Sequence, residues 1–503
     1  MKNPLKKFGR LEAIIFVAGS VVMILELIGS RILAPYLGSS IYIWASLIGV
    51  ILGALTVGYY LGGKLSEVKP KLSFLALVLF LAGMAILMIA VIKEPVLLWS
   101  MNLGIRAGSV AATLILFTLP SLILGIVSPY AIRLKIENVE TSGEVAGNLY
   151  ALSTVGSIFG TFLAGFYLIP TFGSTQILYG LSLILALTSL LGGKKVVKII
   201  SIGAIIAIWS AWFYFGSPVK APGLVYEGDS AYNHIRVFDG KNPADGRDLR
   251  VLFLATESHS VIYQNSDELY SPYTKLYQLD ALFKPRIKKA LTLGGGAYIC
   301  PLDFLRRFPD SQMTVVEIDP AVTAVAKKYF KLVDDQRLNI IHEDGRIFLN
   351  QNHEVYDAIY GDAFASYFSI PFQLTTKESM KKVYDSLSDN GIFVLNIISA
   401  LEGDKSLLFK AEYKTLKEFF PQVYVFPARY YDGRKTDEHQ NIILIAAKNS
   451  QWLSKEDLLA RASSTQAEMI NHFWEKPINL VNSAVLTDNF APIDYYISKL
   501  IQS

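Results

Sequence analysis

The chain has 503 residues, of which 52% are hydrophobic and only 18% charged, with a formal net charge of +4. That length exceeds one ordinary domain of about 100–200 residues, and a water-soluble chain would carry nearer a quarter charged residues, so part of it belongs in lipid. So small a charge excludes the basic footprint of a nucleic-acid binder, and the lone Cys300 excludes an internal disulfide or a cysteine-built metal cluster.

Seven apolar stretches, at about 12–35, 42–64, 71–92, 108–131, 146–169, 173–192 and 197–215, approach the ~20 residues that a membrane-spanning helix needs. The first runs too long for a cleavable signal and has no small-residue cleavage site before the second. Gly156 and Gly160 form a GxxxG step, and Gly53, Gly58, Gly62 and Gly63 line the second stretch, so close helix packing is expected. Pro120 and Pro129 predict a kink in the fourth. The chain therefore reads as a multi-pass protein of the cell membrane, in contact with the lipid bilayer.

Lysine and arginine set the orientation. Lys2, Lys6, Lys7 and Arg10, then Lys64, Lys69 and Lys71, then Arg133 and Lys135, then Lys194, Lys195 and Lys198 fall on one side, against Lys93 and Arg106 on the other. The positive-inside rule places the N-terminus in the cytoplasm. Seven spans would then carry the C-terminal half outside, an awkward place for a nucleotide-using domain, and its side stays open. Glu26 and Arg31 lie within the first span, where charge is expensive. Glu26 reads either as a substrate-handling group or as a glutamate paired inside the bundle, and Arg31 as an arginine snorkelling near the helix end.

Past Pro218 and Pro222 the pattern alternates. Segments 234–240 and 249–255 read as a hairpin, with a third strand at 260–264. Strands then alternate with helices: KKALTLGGG, a helix at 301–308, QMTVVEID, a helix at 320–331, LNIIHEDGR, YDAIYGDAF, a helix at 376–387, GIFVLNIIS, a helix at 404–419, VYVFPARYY and QNIILIAAK. That order predicts a Rossmann-like α/β domain with a mostly parallel sheet. The expected division is a membrane domain at 1–219, a small β subdomain at 220–283, the Rossmann-like domain at 284–448 and a helical tail at 449–503.

In such a fold ligands bind at the carboxyl ends of the strands. The first strand here ends in Gly294, Gly295 and Gly296, which let backbone N–H groups approach a ligand. The second ends in Glu317, at the spacing of an acid that accepts from ribose hydroxyls. The third runs into Asp344 and Gly345, and the fourth into Asp362. A nucleoside site is expected. The six histidines show no ligand spacing, so no metal is expected.

At these residues the chain resembles the spermidine synthase (polyamine aminopropyltransferase) family, which shares the class I S-adenosylmethionine methyltransferase fold. More narrowly it resembles membrane-fused members of that group. The motifs are LTLGGGAYICP, VVEIDPAV, HEDGRIFL, YDAIYGDAFASYFSIPFQLTT, GIFVLNIIS and LTDNFAPID, with ELIGSRILAPYLGSSIYIWAS in the membrane part. The resemblance implies that Gly294 to Gly296 cradle the donor's thioether end, that Glu317 holds the ribose, that Asp344 and Gly345 bind the adenine amino group, and that Asp362 is the catalytic base. Tyr270 and Tyr273 match the region that positions the polyamine, with Tyr298 and Tyr367 as further candidate substrate contacts. Decarboxylated S-adenosylmethionine or S-adenosylmethionine is the implied co-substrate. The implied acceptor is a small amine such as putrescine or a membrane-associated molecule. A homodimer is left open, since soluble relatives commonly pair.

Two positions depart from the family. Ala297 and Ala365 stand where the soluble synthases carry aspartates that hold cationic amines. Each missing contact should cost about 1.5–3 kcal/mol unless something replaces it. Aromatic residues fill the neighbourhood: Tyr298, Phe364, Tyr367, Phe368 and Phe372. Three functions follow: an aminopropyltransferase, a methyltransferase acting on a membrane-associated acceptor, and a transporter or sensor with a non-catalytic nucleoside domain.

Overall fold

Small residues bring the N-terminal helices together. A computed structural model describes residues 9–38, 40–67, 70–192, 203, 221–363, 370–429 and 436–501. Helix α1 (Arg10–Leu37) packs on α5 (Ser142–Leu163), and α2 (Ile41–Leu65) packs on α4 (Gly104–Lys135). A Cβ on Gly156 would lie 2.2 Å from the Phe16 carbonyl oxygen, and one on Gly160 2.4 Å from that of Ser20. The GxxxG step is thus the contact face, and the Ser20 hydroxyl seals it by donating to the Gly156 carbonyl at 2.8 Å. Gly58 meets the Leu122 carbonyl of α4 in the same way, whereas Gly53 and Gly63 face open space. Gly156→Leu is expected to destabilise this unit by roughly 1–3 kcal/mol or more, as overpacking does. Gly53→Leu should leave it unchanged, and melting the two variants in detergent compares them.

Among the described residues, five helical runs are long and apolar enough to cross a membrane: α1, α2, α3 (Leu72–Met101), α4 and the run Val139–Thr171. This differs from the seven expected. The segment at 173–192 forms a shorter helix, Ser174–Ser189, and 197–215 lies outside the described residues. The fifth run contains a π-helical turn at Ala164–Leu168. Pro120 and Pro129 both sit inside α4.

The chain divides into two units, Met1–Ala221 and Pro222–Ser503. The second holds two sheets. The smaller is an antiparallel meander of β1 (Leu224–Asp229), β2 (His234–Lys241), β3 (Asp248–Leu254) and β4 (Glu257–Tyr263). It has one strand more than the sequence suggests.

The larger sheet has the order β10-β11-β9-β8-β5-β6-β7, built from β5 (Lys289–Leu293), β6 (Gln312–Val316), β7 (Leu338–Ile341), β8 (Tyr356–Gly361), β9 (Leu387–Ser399), β10 (Gln422–Pro427) and β11 (Gln440–Ala447). Strands β5 to β9 run parallel, while β11 pairs antiparallel with both β9 and β10. Strand β9 shows why its sequence is so apolar. Ile392 and Val394 enter one core, and Phe393, Leu395 and Ile397 enter the other. Strand order reverses between β5 and β8, which puts a crevice at their carboxyl ends. Past β11 the chain forms the short helices Lys455–Arg461, Ser464–Ile470 and Ile493–Ile501.

Candidate active site

Four strand ends meet at this crevice, and the glycine loop after β5 is their hub. Gly294 has φ +96° and Gly296 φ +50°, in the left-handed region that favours glycine. A Cβ on Gly294 would lie 2.4 Å from the Asp362 carbonyl oxygen, so loop and β8 end touch backbone to backbone. The Asp362 amide in turn donates to the Leu293 carbonyl at 2.9 Å.

Glu317, at the end of β6, ties the loop down. Its Oε2 accepts from the Gly295 amide at 2.8 Å and the Gly296 amide at 3.3 Å, and its Oε1 accepts from the Asp319 amide at 2.9 Å. Burial pushes its carboxyl above the ordinary value, and these N–H groups pull the other way. From the small sheet, the Ser260 hydroxyl accepts from the Ala297 amide at 3.3 Å.

Asp344 caps the helix Gly345–Gln351, its Oδ1 accepting from the Arg346 and Ile347 amides at 2.8 and 3.1 Å. A Cβ on Gly345 would sit 3.4 Å from Leu374 and 3.8 Å from Leu293. The third strand end therefore borders the first. The LTDNFAPID segment secures this corner: Asp488 accepts from Thr376 and from the Arg346 guanidinium, each at 2.6 Å.

Asp362 lies partly exposed at the tip of β8. The protein packed around it pushes its carboxyl above the usual aspartate value, and the Asn396 amide, donating to Oδ1 at 2.9 Å, draws it back down. The buried Tyr277 hydroxyl comes within electrostatic reach of the same carboxylate but makes no well-formed hydrogen bond. Below, the Tyr360 hydroxyl donates to the fully buried Asp280 at 2.6 Å, and Arg307 grips Asp280 at 2.7 and 2.9 Å. Cys300 is a thiol pushed well up by burial.

The candidate acceptor contacts fare differently. Tyr273 stands edge-on to Tyr277, their ring centres 6.2 Å apart, which places it in the aromatic row leading to Asp362. Tyr270 packs instead on Tyr263 of β4, 5.6 Å away. Tyr298 is turned into the core at 0% exposure, its hydroxyl hydrogen-bonded to Thr323 at 2.7 Å, so it does not line the crevice. Tyr367, Ala365, Phe364 and Phe368 lie outside the described residues. Ala297 is fully buried among Ile235, Val237, Leu252, Leu254, Val322 and Val325, so its side chain faces an apolar seam and not open space.

Asn396, Tyr277 and Glu412 escaped the sequence reading. Glu412 is buried with Oε2 lacking a partner, beside a cavity also lined by Leu293, Gly361, Ala363 and Leu374. Among the described residues no group of three or more His, Cys, Asp or Glu is arranged to hold a metal.

Residues 274–433 match the family described as "Spermine/spermidine synthase domain". A polyamine aminopropyltransferase of Vibrio vulnificus is 27% identical over 288 residues, covering 54% of this chain and 90% of that protein. An eEF1A lysine and N-terminal methyltransferase of Xenopus laevis is 33% identical over 168 residues, 32% of this chain and 22% of that protein. Among solved structures, a probable spermidine synthase from Corynebacterium glutamicum aligns with TM-score 0.41 and 20% identity, over 56% of this chain and 94% of that one.

Proposed function

We propose that the C-terminal unit, a spermidine synthase-like domain of the class I S-adenosylmethionine-dependent fold, transfers an aminopropyl group from decarboxylated S-adenosylmethionine to a small amine such as putrescine, with Asp362 as base. The carrying observation is the convergence of the glycine loop, Glu317, Asp344 and Asp362 on one crevice. A glycine loop whose left-handed turns bring bare backbone to the crevice beside a buried acid suits the close approach of a nucleoside.

When bound, the donor supplies an electrophilic carbon next to a sulfonium. The chain's own residues do the rest. Gly294 to Gly296 and Glu317 would hold the thioether and ribose end, and Asp344 and Gly345 the adenine. Asp362 would orient the acceptor amine and take its proton as the new N–C bond forms, the C–S bond breaks and the neutral thioether leaves. Tyr273 would flank the amine. Tyr270 and Tyr298 enter this reading only as packing around the site, and Tyr367 lies outside the described residues. The N-terminal helices would hold the transferase at a bilayer.

A second reading is methyl transfer from S-adenosylmethionine. The seam around Ala297 favours it, because no carboxylate at that position can grip the donor's terminal amine. The methyltransferase relative adds to it. Calorimetry on the full-length protein with S-adenosylmethionine, its decarboxylated form and methylthioadenosine separates the two. Tighter binding of the decarboxylated donor is the expected result, and preference for the parent would shift the assignment to methyl transfer. Binding of none would remove the nucleoside site.

A further inference from the structure

One face of the large sheet changes character as it reaches the crevice. On that face β8 contributes Ala358 and Tyr360, β9 contributes Ile392 and Val394, and β11 contributes Ile443 and Ile445, all in a single core. The next side chain along each strand toward the crevice is polar: Asp362 just past β8, Asn396 on β9 and Asn441 on β11. The three are linked in order. Asn441 Nδ2 donates to Asn396 Oδ1 at 3.1 Å, and Asn396 Nδ2 donates to Asp362 Oδ1 at 2.9 Å.

A buried amide in a sheet core is costly unless its hydrogen bonds are met, and Asn396 is only 3% exposed. Here the bonds also fix which way the amide points. With Oδ1 occupied by the Asn441 donor, the Asn396 NH2 must face the carboxylate, and a flipped amide would set oxygen against oxygen at one end and NH2 against NH2 at the other. Ile443 is the cross-strand partner of Asn396, which puts Asn441 diagonal to it on the same face.

We propose that Asn396, oriented by Asn441, is a positioning residue: it holds Oδ1 of Asp362 so that Oδ2 is turned toward the acceptor amine. This rests on the reading of Asp362 as base. The other groups facing that carboxylate are Tyr277, from the helical segment before β5, and Cys300, from the helix Ile299–Arg307. The Tyr277 hydroxyl, though without a well-formed hydrogen bond, also favours the charged carboxylate, after Asn396, and Cys300 shows no hydrogen bond to it among the described residues.

The test titrates Asp362 itself. Full-length protein in detergent, labelled with 13Cγ aspartate, is followed by NMR across pH, and the Asp362 signal is identified by its loss in Asp362→Asn. An amide that donates to the charged form lowers its titration midpoint, so Asn396→Ala should move the midpoint upward by about one pH unit. The acid limb of kcat/KM should move with it, and loss of the held Oδ2 geometry should separately lower kcat about tenfold with KM little changed. Asn441→Ala should move the midpoint the same way by less, and it reads the relay even if Asn396→Ala folds poorly. A folded variant that loses thermal stability with an unmoved midpoint overturns the proposal. If instead the midpoint moves while Asp362→Asn keeps full turnover, positioning stands and the base assignment falls.

Discussion

Asp362→Asn should lower kcat/KM by roughly 10²–10⁴-fold, the usual worth of a positioned base. The change is nearly isosteric. Asn396 can still donate to the new side-chain oxygen, and the Asp362 backbone contacts with Gly294 and Leu293 remain. Nucleoside binding should therefore persist while the proton acceptor is gone. The pH profile supplies a second mark. Because the surrounding protein raises the Asp362 carboxyl, the wild-type acid limb should lie above the ordinary aspartate value of about 3.9. Below that limb the base is protonated and the rate falls, and in Asp362→Asn the limb should vanish. Steady-state kinetics with a saturating donor reads both, and wild-type turnover by the variant would refute the assignment.

Glu317→Ala should be the most damaging change to donor binding. One carboxylate accepts from Gly295, Gly296 and Asp319, all at the base of the crevice. Each donor left without a partner costs about 1–3 kcal/mol. Two such losses are enough to weaken methylthioadenosine binding by on the order of 100-fold. The melting temperature should fall as well, since the left-handed Gly296 and its neighbour Gly295 are held by the same carboxylate. Glu317→Gln keeps an acceptor oxygen and should lose about tenfold. Calorimetry on both variants, with melting curves, separates a lost ribose contact from a collapsed loop. Glu317→Ala binding as tightly as wild type would mean that the carboxylate serves neither.

Much of this site could be read before any coordinates, and the reason is local. A run such as KKALTL ending in three glycines, or DAIY ending in Gly361 and Asp362, carries both the strand and its chemical end group within a few residues. The residues missed depend on tertiary neighbours. Asn396 sits inside the apolar run GIFVLNIIS, where nothing nearby marks it, and it acquires meaning only beside Asp362 and Asn441. Tyr277 looks like any helix-face tyrosine until Asp362 packs against it. Strand β1 was overlooked because LVYEGD alternates between half-buried and exposed positions and never reaches a buried one. The helix Ser174–Ser189 shows the limit of counting apolar residues, since hydropathy alone does not mark where a helix stops. Tyr298 misled in another way: an aromatic next to a glycine loop suggests a ligand contact, but its backbone, at φ +60°, turns it inward to Thr323.

The setting of Ala297 bears on how donor choice could be re-engineered. Position 297 belongs to the seam between the small sheet and the helix Pro320–Tyr329, where Val322 and Val325 sit. An aspartate installed there would be a charge in hydrocarbon, so the first consequence would be a weakened junction and not a new grip on an amine. On the proposed reading, a change of donor at this position would be coupled to subdomain cohesion. A route to a different donor tail through position 297 would have to rebuild the apolar contacts of the small sheet and this helix together.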